Sequence, residues 1–209
     1  MLRSFGKMVL MVVMLLVIIE ALSFALVRPD RAVLETAKLL VVIKGTGRLI
    51  SEAYQLLGQG VASRFCIPGL SEKTMAYQAK KYGLPEGVTH EQSDVSTKST
   101  FEDALQAGAV IREKKYGDVL LVVADFHVVR SWLLLKAETM GTGCRLRVIG
   151  IPEKRNFQQQ VEVWYSETVK FWGSALEFIY YHLTGKLLTA NPRMDHFLES
   201  LKRLVLPPL

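Results

Sequence analysis

The chain has 209 residues, half of them hydrophobic, and carries 26 Lys and Arg against 20 Asp and Glu, a formal charge of +6. That length and apolar content suit one ordinary domain plus an extension. The mild basic excess suits anionic partners such as lipid head groups or phosphates. It argues against nucleic acid, because the basic residues are scattered and no recognition motif is present.

The first 27 residues form one unit. Arg3 and Lys7 precede an apolar run over residues 8–27 that one acid, Glu20, interrupts. As a helix this run rises about 30 Å, enough to cross a bilayer. Its Val, Leu, Ile and Phe residues each favour insertion by roughly 0.3–0.6 kcal/mol. A charge at the bilayer centre costs roughly 2.5–3.5 kcal/mol, and Glu20 lies off centre, so insertion wins. The run is therefore expected to be a single-pass transmembrane anchor with its N-terminus inside. A cleaved signal peptide is the alternative, with Ser23-Phe24-Ala25 as the small-x-small site. Either way the remainder is expected to be exported.

Residues 28–38 read as a short polar linker. Residues 39–43, LLVVI, form a continuous β-branched apolar run of the kind a parallel sheet buries on both faces. Lys44-Gly45-Thr46-Gly47 turns the chain, and Leu49, Ala53, Leu56 and Leu57 recur at helical spacing. The pattern repeats: a strand over 64–67, then a helix from Ser71 to about Tyr82 that Gly83-Leu84-Pro85 ends. A short strand at 88–90 precedes a helix over 100–115. A strand at 119–124, a helix from about His127 and a strand at 145–149 follow. Alternation with short turns predicts an α/β fold, a doubly wound, mainly parallel sheet of about five strands over residues 39–151. Residues 152–209 read as a helical extension packed on the domain or membrane surface, with an aromatic run over 164–183 and another helix near 195–205.

Ligands of open parallel sheets bind beyond the carboxyl ends of the strands. Gly45, Thr46, Gly47 and Arg48 follow the first strand there. Pro68, Gly69, Ser71 and Glu72 follow the second, and Glu91, Ser96, Ser99, Thr100 and Glu102 the third. Asp125, His127 and Arg130 follow the fourth. Gly turns at helix N-termini bind anions through free N–H groups. Arg48 and Arg130 add fixed positive charge, and His127 exchanges a proton near neutral pH. Glu91, Glu102 and Asp125 suit orienting the His, acting as a base or holding a cation. Duller readings stand beside these. Gly45-Thr46-Gly47 is also an ordinary turn, and Ser99 or Thr100 with Glu102 or Asp103 is also a helix cap. No nucleophile elbow, Walker sequence or His-Glu-x-x-His is present. Cys66 and Cys144 lack CxxC spacing, so no zinc site is expected; they are two buried thiols or one disulfide. The residues name no cofactor, no metal and no oligomeric state.

In this order the corners resemble the bacterial family that includes SanA, ElyC and YdcF. Gly45, Gly47 and Arg48 with Ala53 and Leu56 match its first motif. Glu91, Ser96, Thr100 and Glu102 match the middle one, and His127, Arg130 and Ser131 match its final His-x-x-Arg. The resemblance covers about residues 39–151. The second turn, Ile67-Pro68-Gly69-Leu70, lacks the family's Ser and one Gly, and Ser99 and Asp103 stand where it has asparagines. The resemblance implies a Rossmann-like domain anchored in the inner membrane and facing the periplasm or outer face. It implies a role in envelope integrity, peptidoglycan or surface polysaccharide assembly. On this reading Arg48 and Arg130, with Gly45, Gly47, Glu91, Ser96, Thr100 and Asp125, hold a phosphorylated lipid carrier or glycan precursor. His127 and Glu102 move the proton. The alternatives are a non-catalytic ligand- or partner-binding module, and a nucleotide or S-adenosylmethionine enzyme, one family member being reported to bind the latter.

Overall fold

The computed structural model describes residues 35–43, 45–91 and 96–192, together with Met14, Ile18, Ile19, Ala21, Leu22, Val27, Met194, His196 and Ser200. Most of the run at residues 8–27, and most of the helix expected near 195–205, lies outside them. Among the described residues no helix is long and apolar enough to cross a membrane.

Five strands form one sheet: β1 (Leu39–Val42), β2 (Arg64–Cys66), β3 (Thr89–His90), β4 (Asp118–Ala124) and β5 (Arg145–Ile151). Every pairing is parallel and the order is β3-β2-β1-β4-β5. The chain starts at the middle strand, fills one side and then crosses to the other. The reversal falls between β1 and β4, where Leu39 pairs with Val119 and Val42 with Val122. That is the switch point of a Rossmann-like α/β sheet.

The helices are α1 (Gly47–Gly58), α2 (Glu72–Tyr82), α3 (Thr100–Lys114), α4 (Val128–Glu138) and α5 (Phe157–Thr184). Side chains of a strand alternate between faces, and β1 shows why its run reads as continuous. Leu39 and Val41 enter one core with Val119, Leu121, Phe101 of α3 and Leu135 of α4. Leu40 and Val42 enter the other with Leu120, Val122, Leu49 of α1 and Met75 of α2. Helices thus cover both faces, and all four β1 residues are fully buried.

The boundaries differ in instructive places. β2 stops at Cys66 and β3 has only two residues. β5 runs on to Ile151, so β4 and β5 pair along seven residues. A single 3₁₀ turn, Asp125–His127, precedes α4. Gly150 lets that turn sit against β5: a Cβ there would stand 2.8 Å from Val128 Cγ2 and 3.1 Å from the Asp125 Cα. The C-terminal end is helical, as expected. Asn156 starts α5 with a reciprocal capping box to Gln159, and Gly185, at φ 68°, ends it. Phe171, Phe178 and Tyr181 of α5 pack on the same core as α3 and α4. α5 thus packs on the domain, one of the two placements expected of residues 152–209, as a third helix of that layer.

Candidate functional site

The 3₁₀ turn and the first turn of α4 bring the polar corner of β4 under α5. His127 Nδ1 lies 2.9 Å from Glu167 Oε2. Arg130 donates to the same carboxylate from Nε at 3.2 Å and from Nη2 at 3.0 Å to Oε2 and 3.3 Å to Oε1. Its Nη1 donates to Thr100 Oγ1 at the start of α3. Arg130 Nη2 also lies 2.9 Å from His127 Nδ1. Two donors cannot face each other there, so the carboxylate sets the roles. His127 donates Nδ1–H to Glu167, and Arg130 spends its N–H groups on Glu167 and Thr100. The lone pair of His127 then sits on Nε2, which has no partner among the described residues.

This cluster is largely buried. The Arg130 and Glu167 side chains are 7% and 5% exposed, and His127 is 19% exposed. Burial lowers the His127 pKa below its ordinary value; the bond to Glu167 opposes that, and the charges of Arg130 and Lys170 reinforce it. Burial by itself raises the Glu167 pKa, but His127, Arg130 and Lys170 together bring it below the usual carboxylate value. The arrangement is a neutral imidazole oriented by a carboxylate, the geometry of a general base.

Glu167 is the residue that sequence reasoning misses. His127, Arg130 and Thr100 come together as expected, but Glu102 does not join them. Its carboxylate accepts from the Lys98 N–H at 2.8 Å and from the Thr189 hydroxyl, while its own N–H donates to Ser99 Oγ at 3.2 Å. The capping reading of Ser99 and Glu102 is therefore the one observed, and the carboxylate that touches His127 is that of Glu167 rather than Glu102. Arg130 is already neutralised by Glu167, which weakens its expected part as a phosphate grip. The Ser131 hydroxyl is fully buried and makes no hydrogen bond among the described residues.

The remaining corners separate. Asp125 accepts from its neighbour's Phe126 N–H at 2.8 Å and from Arg155. The Arg155 guanidinium also lies 4.4 Å from the Phe126 ring centroid. Thr46 donates to Glu153 Oε1 at 3.0 Å. The segment between β5 and α5 is thereby tied to the corners of both β1 and β4. A Cβ at Gly45 would lie 2.5 Å from Leu49 Cδ2, so close packing accounts for that glycine, whereas at Gly47 it would meet only Tyr82 Oη at 3.6 Å. Arg48 is exposed and makes no ion pair among the described residues. Ser96 is exposed as well.

Glu91 turns to other partners. Its Oε1 accepts from Arg64 at 2.7 Å and from the Tyr116 hydroxyl at 2.5 Å, groups at the amino ends of β2 and β4. The bond to Tyr116 is the largest influence lowering its pKa, opposed by burial and helped by Arg64. A cavity of about 380 Å³ opens at that edge, lined by Lys38, Arg64, Tyr116 and Asp118 among others. Cys66 and Cys144 are both buried free thiols. Among the described residues no three His, Cys, Asp or Glu side chains gather as metal ligands. No family model matches the chain, and no curated protein matches it.

Proposed function

We propose that this protein is a membrane-anchored envelope biogenesis factor that binds or processes an anionic phosphorylated lipid carrier or glycan precursor. The observation that carries the reading is the His127–Glu167 pair: Nδ1–H is held at 2.9 Å, and Nε2 has no partner among the described residues. His127 acts as the general base that removes a proton from an attacking water or hydroxyl. Glu167 fixes the tautomer and steadies the imidazolium that forms. Arg48, exposed in the first turn of α1, meets the anion together with the free N–H groups of that helix start. The apolar run at residues 8–27 and the family resemblance support placement in the inner membrane with the α/β domain outside.

The test is ligand-dependent thermal stability of the whole chain with phosphate, polyprenyl phosphates, nucleotide sugars and S-adenosylmethionine. A ligand at a hundred times its dissociation constant stabilises by about 2.7 kcal/mol. The shift is expected with a phosphorylated lipid or glycan precursor and is lost in Arg48→Ala. His127→Ala is expected to keep the shift and lose turnover. A shift with S-adenosylmethionine alone sinks the reading.

A second reading, a non-catalytic binding module, is favoured by the saturation of Arg130, which leaves the core of the cluster without net positive charge to offer. On that reading His127→Ala alters nothing but local stability.

A further inference from the structure

A surface helix is expected to be apolar toward the core and polar toward water. α5 is apolar on both sides. Its inner face carries Phe171 and Phe178 on the core and the buried Glu167. Its outer face carries Phe157, Val161, Trp164, Leu176, Ile179 and Leu183, between 50% and 82% exposed. They form two clusters, 157–161–164 and 176–179–183, twelve residues apart and bridged by the half-buried Trp172; at 100° per residue all six share an arc of about 120°. The stripe runs about 39 Å along the helix. Tyr165 falls on the same arc and is also exposed.

We infer that two copies of this chain pair through the outer face of α5. Exposed apolar side chains grouped this way along one helix face mark an interaction site. A stable interface of standard size needs on the order of 800 Å² from each partner, and six large apolar side chains each at least half exposed supply area of that order. Their composition is that of an interface core, rich in aromatic and branched apolar residues and depleted of charge. A two-fold axis sets the same uncharged stripe against itself, so no complementary charge is required of a partner. A bilayer surface fits less well. Helices that lie on lipid flank the apolar face with Lys and Arg. The only Lys or Arg within α5 is Lys170, and its Nζ lies 3.7 Å from Glu167 on the inner side.

Pairing also reaches the candidate site, because the paired helix is the one that supplies Glu167 to His127 and Arg130. Self-association holds that helix in place from outside. The inference does not depend on which reaction, if any, His127 performs.

Cross-linking of the full-length chain in native membranes tests it. The variant Trp164→Cys/Leu176→Cys forms disulfides between copies in either helix orientation, since an antiparallel pair sets 164 against 176 and a parallel pair sets each position against itself. The native thiols are buried and stay silent. The expected product runs at twice the 23.5 kDa chain mass. Glu113→Cys, on the exposed side of α3, is expected to give none. Engineered thiols that react with a water-soluble maleimide but never cross-link overturn the inference. Thiols shielded from both reagents overturn it too, in favour of lipid. Because the substitutions themselves remove apolar surface, the unaltered chain is also sedimented in mild detergent. A two-chain mass is expected there, falling twofold in Ile179→Asp with the circular dichroism unchanged. A one-chain mass for the unaltered protein overturns the proposal.

Discussion

The carboxylate of Glu167 is shared between His127 and Arg130, 2.9 Å from the imidazole Nδ1 and 3.0 Å from the guanidinium Nη2. One acid on α5 therefore fixes a base and neutralises a cation that both come from the turn after β4.

Removing that acid is expected to be costly. Glu167→Ala leaves Arg130 buried at 7% side-chain exposure with Thr100 as its remaining strong partner. Breaking a buried pair from one side costs about 3–5 kcal/mol. Urea denaturation is expected to show a loss of that size. Replacing both partners with apolar residues, Arg130→Met with Glu167→Leu, is expected to recover most of it. A double variant as unstable as the single one contradicts this account of the pair.

The imidazole of His127 is expected to titrate below 6.5, since burial disfavours its charged form. The sign for stability follows. The unfolded chain takes up the proton first as the pH falls, so folding is weakened from about pH 6.5 down to the lower folded value. Glu167, held below the usual carboxylate value, adds stability above pH 4.5 that is lost as the pH falls through its folded value. Both groups make acid destabilising. A nuclear magnetic resonance titration of the His127 Cε1 proton checks the first; a midpoint above 6.5 contradicts it.

The two thiols are expected to be inert in the folded protein. Burial pushes the Cys66 thiol up to about 12, and burial also raises that of Cys144. The thiolate is the reactive form, so titration with a chromogenic disulfide at pH 8 is expected to find essentially no reactive thiol in the native chain and two after denaturation. Rapid native reaction of either contradicts the packing described around β2 and β5.

Gly150→Ala is expected to destabilise by about 1–3 kcal/mol, because the added Cβ overpacks a well-filled junction. The new atom meets Val128 Cγ2 at 2.8 Å and the Asp125 backbone at 3.1 Å. Thermal melts measure the loss. The same change is expected to disturb the His127 resonance, since the 3₁₀ turn rests on that glycine.

The sheet was legible because burial on both faces writes itself into residues 39–43 and 119–124 as unbroken apolar runs. β3, expected at 88–90, is found at Thr89–His90; at two residues on the sheet edge its pattern is short but the turns on either side frame it. His127 and Arg130 were legible as a pair because three residues apart on a first helical turn puts them on one face. Glu167 was not, because its partners lie 37 and 40 residues earlier and the surrounding aromatics draw the eye. A signal existed. Glu167, Phe171, Ser174 and Phe178 recur at intervals of four, three and four, so a lone acid lies on the inward stripe of α5, where a charge needs a buried partner. Glu102 reads either way in the sequence, because a cap and a catalytic acid look alike when both follow Ser and Thr; in the structure its contacts are those of the cap and of Thr189.

The strand order has a consequence for how the chain is made. β1 is among the first strands off the ribosome, yet one of its two neighbours, β4, is about eighty residues further along. Domains form as units while synthesis proceeds from the N-terminus at about 5–20 residues per second. For several seconds the nascent chain holds β1 with one side open, an unpaired apolar edge of the kind that seeks other chains. The cluster at His127 waits longer still, until α5 emerges with Glu167. A chain stalled after β5 has its complete sheet but an unneutralised Arg130 beside an unoriented imidazole.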